Sequence, residues 1–172
     1  MKFQIALVAS LLPAAVFAAG TGTPTQTQTS QDCTGSQIYD AETKTCVDSR
    51  DSRLDDADRI EGARELASFG RAEDALRVLA TLNDATTADA LTTRGYATRK
   101  AGDFDAGVAL YHAALALDPD HWQARSYLGQ GLLERGDRAA AQAQLTLIRA
   151  GGARGTWPEV SLVRALGGNA TY

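Results

Sequence analysis

Cysteine, histidine, methionine and proline are scarce in this chain of 172 residues, with two, two, one and four copies. Each scarcity removes a class of chemistry. Two histidines, His112 and His121, and two cysteines with no histidine beside them supply too few ligands for a zinc site. No Cys-x-x-Cys pair is present, which argues against thiol redox work. A His-Glu-x-x-His helix, a nucleophile elbow, a phosphate loop and a haem-attachment motif are all missing. The chain therefore reads as a non-enzyme with no cofactor and no metal. Positive charge is not in excess either: 17 Lys and Arg stand against 21 Asp and Glu, a net charge of -4. A nucleic-acid partner would call for the opposite balance.

Long apolar runs are absent apart from one. Residues 5–17 are almost wholly apolar, follow the positive charge of Lys2, and lead to small residues ahead of a cut after Ala18. That run is shorter than the roughly 20 residues of a spanning helix, and Pro13 interrupts it. Residues 1–18 are expected to be a signal peptide and the protein to be periplasmic or secreted. Membrane contact is expected only through an uncleaved leader. Residues 19–32 are Thr-, Gln- and Gly-rich with almost nothing to bury, and are expected to be a flexible linker.

In an oxidising compartment, an even cysteine count at close spacing predicts a disulfide between Cys33 and Cys46. Closing a loop of about 14 residues contributes roughly 3 kcal/mol in the chain-entropy treatment. The loop holds Gly35, Ile38 and Tyr39, and residues 33–48 read as a small pinned β-hairpin. The run from Cys33 through Gly35 to Tyr39 and Asp40, followed by Thr43 and Cys46, resembles short two-cysteine modules ahead of helical repeats in bacterial envelope proteins. It is more faintly similar to part of a chitin-binding peritrophin module. That likeness implies a cell-wall glycan as an alternative partner, with Tyr39 either stacking on the sugar or packing over the disulfide.

What the chain has in quantity is a helical pattern with a period near 34 residues. Gly95 returns as Gly129, Gly107 as Ala141, Tyr111 as Leu145 and Ala114 as Ile148. Residues 69–76 form an earlier copy, two residues short in spacing. A period of this size signals a stack of supersecondary units. Apolar residues at three- and four-residue spacing predict helices over 55–69, 72–83, 86–101, 104–117, 120–135 and 138–150, with a short one over 158–166. Ala63, Gly95 and Gly129 in the first helices, and Ala75, Gly107 and Ala141 in the second, are small enough for close helix approach. Leu79, Tyr111 and Leu145 are expected to fill the layer between hairpins. Gly102-Asp103 and Gly136-Asp137 each pair a helix stop with an N-cap. The fold class is all-α: an antiparallel helix-hairpin solenoid of about three units over 55–150, capped by a helix over 156–167. Trp157-Pro158 is expected to dock that cap, and Trp122 to pack in its own turn, unless either Trp marks an exposed contact. The two histidines read as surface or packing residues.

Gly102-Asp103-Phe104-Asp105-Ala106-Gly107 and Leu117-Asp118-Pro119, with Tyr127-Leu128-Gly129 and Glu134-Arg135-Gly136-Asp137, resemble the tetratricopeptide repeat. The resemblance implies a concave groove lined by the first helix of each pair. Its candidate residues are Arg64, Tyr96, Arg99, Lys100, Gln123, Ser126 and Gln130, with Asp89 and Glu134 beside them. It further implies a protein or peptide partner. Three cations in the groove of an acidic protein either form a solvated helix face, extending into water, or pair with partner carboxylates.

Overall fold

The computed structural model describes residues 29–168. The expected signal peptide and all but the end of the expected linker lie outside them. A two-stranded antiparallel hairpin comes first: β1 (Gln37–Asp40) pairs with β2 (Thr45–Asp48), placing Tyr39 opposite Cys46. Seven helices follow: α1 (Asp56–Ser68), α2 (Ala72–Leu79), α3 (Ala88–Lys100), α4 (Phe104–Leu117), α5 (Trp122–Glu134), α6 (Arg138–Ala150) and α7 (Trp157–Leu166). They form three antiparallel pairs. In each step the next first helix packs on both members of the pair before it: α3 on α1 and α2, α5 on α3 and α4. α7 lies on α5 and α6 in the same way, so it stands where the first helix of a fourth pair would.

Local chemistry sets the boundaries. Gly70, Gly102 and Gly136 take positive φ after α1, α3 and α5, a conformation open to glycine. Asp103 and Asp137 then accept from Ala106 N at 3.1 Å and Ala140 N at 2.9 Å, as N-caps. His121 does the same for α5: its Nδ1 accepts from Ala124 N at 3.2 Å. Nε2 therefore carries the proton and donates to Asp89 Oδ1 at 3.0 Å. α2 ends at Leu79, four residues before its expected end. Asp56 captures the backbone N–H groups of Asn83 and Asp84 at 2.9 and 2.8 Å, diverting the chain out of the helix.

The small residues act as expected in the second pair. A Cβ on Gly95 would sit 2.8 Å from the Tyr111 ring and 2.9 Å from Gly107 O. In the third pair the notch at Gly129 is filled instead by Leu162 of α7, 2.8 Å from that Cβ position. Leu79, Tyr111 and Leu145 are buried as the layer between pairs. The apolar interior forms two clusters. One runs from Ile38, Val47 and Leu54 through α1–α4 to Tyr127 and Leu128. The other joins Leu145, Ile148, Leu162 and Leu166. Trp122 packs against this second cluster and over Gly151, rather than within its own turn.

The hairpin shares the first cluster with the helices, and the Cys33–Cys46 disulfide closes it. Residues 30–32 of the expected linker are not loose: Ser30–Asp32 is a 3-10 turn, Ser30 is buried, and its N donates to Glu65 Oε2 at 3.0 Å. Three polar residues suffice there because α1 and Arg71 satisfy backbone groups among them.

Candidate functional site

Residues of α1, α3, α5 and α7 meet around one slot. On α1, Glu61, Arg64, Glu65 and Ser68 follow the spacing i, i+3, i+4, i+7, so they share one face. These four line a slot of about 160 Å³ together with Tyr96 of α3, Tyr127 of α5 and Trp157 of α7. Tyr96 and Tyr127 stack with ring centroids 4.5 Å apart and form the aromatic floor. Trp157 is 45% exposed at the start of α7, beneath the Arg164 guanidinium at 5.3 Å. Leu162 and Leu166 dock the cap helix on the third pair, and Trp157 reaches the slot beside Tyr96 and Tyr127.

Two wider depressions flank the slot. One of about 380 Å³ lies between the starts of α1 and α3, lined by Asp56, Ile60, Glu61, Arg64, Asp84 and Asp89 among others. The other, about 270 Å³, lies between the hairpin and α1. Tyr39, Asp40, Glu42 and Arg53 form one wall of it, and Asp58, Glu61 and Glu65 the opposite wall. Tyr39 is half-buried in this depression, not displayed on an open face. Hydrogen bonds from backbone and hydroxyl donors keep the Asp40, Asp56 and Asp84 carboxyls below the ordinary aspartate range, so all three are ionised at neutral pH.

The expected groove residues divide into three groups. Arg64 and Tyr96 line the slot, Arg64 paired with Glu61 and Tyr96 as buried floor. Lys100 is half-buried, with Nζ 5.7 Å from the Tyr96 ring centroid. Burial and the nearby Arg99 charge lower its pKa. Arg99 itself is interior: 6% exposed, paired with Glu134, and 3.4 Å from the Tyr111 hydroxyl. Burial pushes Tyr111 up to about 12. Arg99 is thus engaged inside the stack and lines none of the three cavities. Ser126 and Gln130 are likewise interior. Gln130 Nε2 donates to Ser126 Oγ at 3.2 Å and to Ser161 Oγ at 2.9 Å, so both lie in the joint that α7 covers. Gln123 is half-buried and lines none of the three cavities.

The sequence reading missed Glu61, Glu65, Ser68 and Tyr127. Its available signal was the polar stripe on α1 at helical spacing. The offset of 34 from Leu128 to Leu162 carried a second signal, since it places α7 over α5. The chemistry assembled here is that of a recognition surface: carboxylates, one guanidinium, and aromatic rings around a slot. Among the described residues, no group of three or more His, Cys, Asp or Glu could hold a metal ion. No described helix is long and apolar enough to cross a membrane.

Comparison with known proteins places this geometry. Residues 99–165 match the tetratricopeptide repeat family, from the end of α3 into α7. Among solved structures, the Yersinia enterocolitica type III secretion translocator chaperone SycD, in an alternative dimer, superposes with a TM-score of 0.51 at 22% identity. That match covers 65% of this chain and 92% of SycD. SycD in complex with a peptide of the translocator YopD gives 0.52 at 20% identity, covering 69% of this chain and 96% of the other. No curated protein matches the chain by sequence.

Proposed function

We propose that the protein, whose residues 99–165 match the tetratricopeptide repeat family, is a non-enzymatic module holding a peptide or assembly partner in its groove. The observation that carries this reading is the slot between α1 and Trp157. It has a pre-stacked tyrosine floor and a large, exposed aromatic at its rim. Rigid aromatic anchors of this kind dominate binding energy at protein interfaces. The structure of SycD, of like fold, with a YopD peptide supports the same use of such a stack. We further propose a periplasmic or secreted location, the oxidising setting in which a Cys33–Cys46 disulfide persists.

Trp157→Ala tests the reading. Its ring is 45% exposed, so truncation should leave the fold standing while removing the rim of the slot. In the native envelope, cross-linking should recover a protein partner with the parent chain. Recovery should fall by about tenfold or more with the variant. Equal recovery from both would remove the groove from the explanation.

A further inference from the structure

We infer that the groove selects a basic segment: an extended stretch of partner chain rich in Lys and Arg, laid along α1 between the hairpin and α3. This rests on the groove reading above and adds the chemistry of the occupant. It also reverses the charge of the second sequence reading, in which three cations pair with partner carboxylates.

Three observations converge on it. The slot and both depressions share Glu61, so the three lie side by side along the face of α1, open among the described residues. The charge in these cavities is far from the average of the chain. Eight carboxylates line them: the six at Asp40, Glu42, Asp58, Glu61, Asp84 and Asp89, joined by those of Asp56 and Glu65. Against them stand two guanidinium groups in the lining, Arg53 and Arg64, with Lys100 and Arg164 over the central rings, although the whole chain is nearly balanced at 21 acids and 17 bases. Both lining cations are already engaged, Arg64 with Glu61 and Arg53 with Asp51 and Asp40.

The third observation is the aromatic surface at the centre. The molecule already places its own cations on it: Lys100 over Tyr96 at 5.7 Å and Arg164 over Trp157 at 5.3 Å. Ring faces flanked by carboxylates attract ammonium and guanidinium groups. A basic segment would thus meet carboxylates along α1 and the exposed Trp157 ring at the rim. An acidic one would meet repulsion along the whole of α1.

The disulfide hairpin has a part in this. Asp40 and Glu42 lie at its turn and make one wall of the depression beside α1, so the hairpin extends the recognition surface beyond the helices.

The test is fluorescence anisotropy on the full chain with two labelled peptides of about 12 residues, roughly 40 Å when extended. They differ only in carrying Lys and Arg, or Glu, at the same positions. The basic probe should bind about tenfold or more tightly, and raising salt from about 0.05 to about 0.5 M should weaken it. Glu42→Lys with Glu61→Lys, both on exposed side chains, should cost the basic probe about tenfold. Glu73→Lys with Asp120→Lys changes net charge equally, away from the three cavities, and should leave binding within about twofold of the parent. Equal loss in both double variants reduces the effect to net charge and overturns the inference. Equal or tighter binding of the acidic probe overturns it as well, as does binding of neither. Should Trp157→Ala abolish partner recovery while the probes show no preference for the basic peptide, the groove stands and the charge inference alone falls. Should Trp157→Ala change neither, both fall.

Discussion

At the first end of the stack, a disulfide-pinned hairpin takes the place of a preceding helix pair; at the last, α7 takes the place of a following one. The first junction is largely polar. Arg71 Nη1 reaches the carbonyls of Ser30, Gln31 and Cys33, and Nη2 reaches Gly35 O at 2.7 Å. Arg59 donates to Ser49 O at 2.8 Å and to Asp51 O at 3.2 Å. Ile38 is the main apolar anchor, pressed so closely on Gly62 that a Cβ there would lie 2.6 Å from its Cγ2. The last junction is mostly apolar. Leu162 enters the Gly129 notch, and Leu166 joins Leu145 and Ile148, with Gln130–Ser161 as its buried side-chain hydrogen bond. A helix can continue the ridge-and-groove packing of the stack with its own apolar stripe. A short hairpin presents backbone carbonyls and few side chains, so arginines must satisfy it and a covalent bond must close it.

The largest effect should come from the last junction. Leu162→Ala removes a fully buried side chain and leaves a cavity against Gly129, at a cost of about 4 kcal/mol. Denaturant unfolding reads the magnitude. Amide exchange reads the place: protection should fall in α5–α7 before α1. A loss below about 1 kcal/mol would show that the last junction is not held by apolar packing.

Next comes the first junction. Reducing Cys33–Cys46 restores the freedom of a loop whose ends are 13 residues apart, worth roughly 3 kcal/mol in the chain-entropy treatment. Exchange should quicken in the hairpin and along α1 and leave α6 and α7 protected. Quickening spread evenly through all seven helices would mean that the two ends are one cooperative unit, and the contrast between them would dissolve.

These same elements show why some of the molecule is legible in its sequence. Helix existence follows from a period that local spacing displays, so α1–α7 were readable, as were the stops at Gly102 and Gly136. α2 overran because its end depends on Asp56, 27 residues from Asn83, and no local window contains both. The groove was harder still. Arg99, Ser126 and Gln130 occupy first-helix positions, but whether such a position faces open surface depends on what packs next. α7 buries two of them and Glu134 neutralises the third. His121 as an N-cap was unreadable because histidine is a rare residue in that role.

The smallest effect is that of acid, and it should again separate the ends. Asp51 is held at about 2 by Arg53, below its ordinary 3.8, and Asp40, Asp56 and Asp84 are lowered by hydrogen bonds from neighbouring groups. At the other end, Glu159 is lowered, by Gly155 N and Arg149. A carboxyl with a depressed native pKa contributes stability above its unfolded value and loses it as pH falls through the native one. Stability should therefore hold above about pH 4 and decline toward about pH 2. The decline should begin where four such carboxyls tie the hairpin, α1 and the chain before α3 together. Asp84 is exposed and the other four are only half-buried, so the loss is modest and weakens with added salt. Amide exchange between pH 4 and pH 2, corrected for intrinsic rates, should show the hairpin and the start of α1 opening first. Opening that begins in α7 would assign the acid sensitivity to Glu159 and invert the contrast between a polar first junction and an apolar last one.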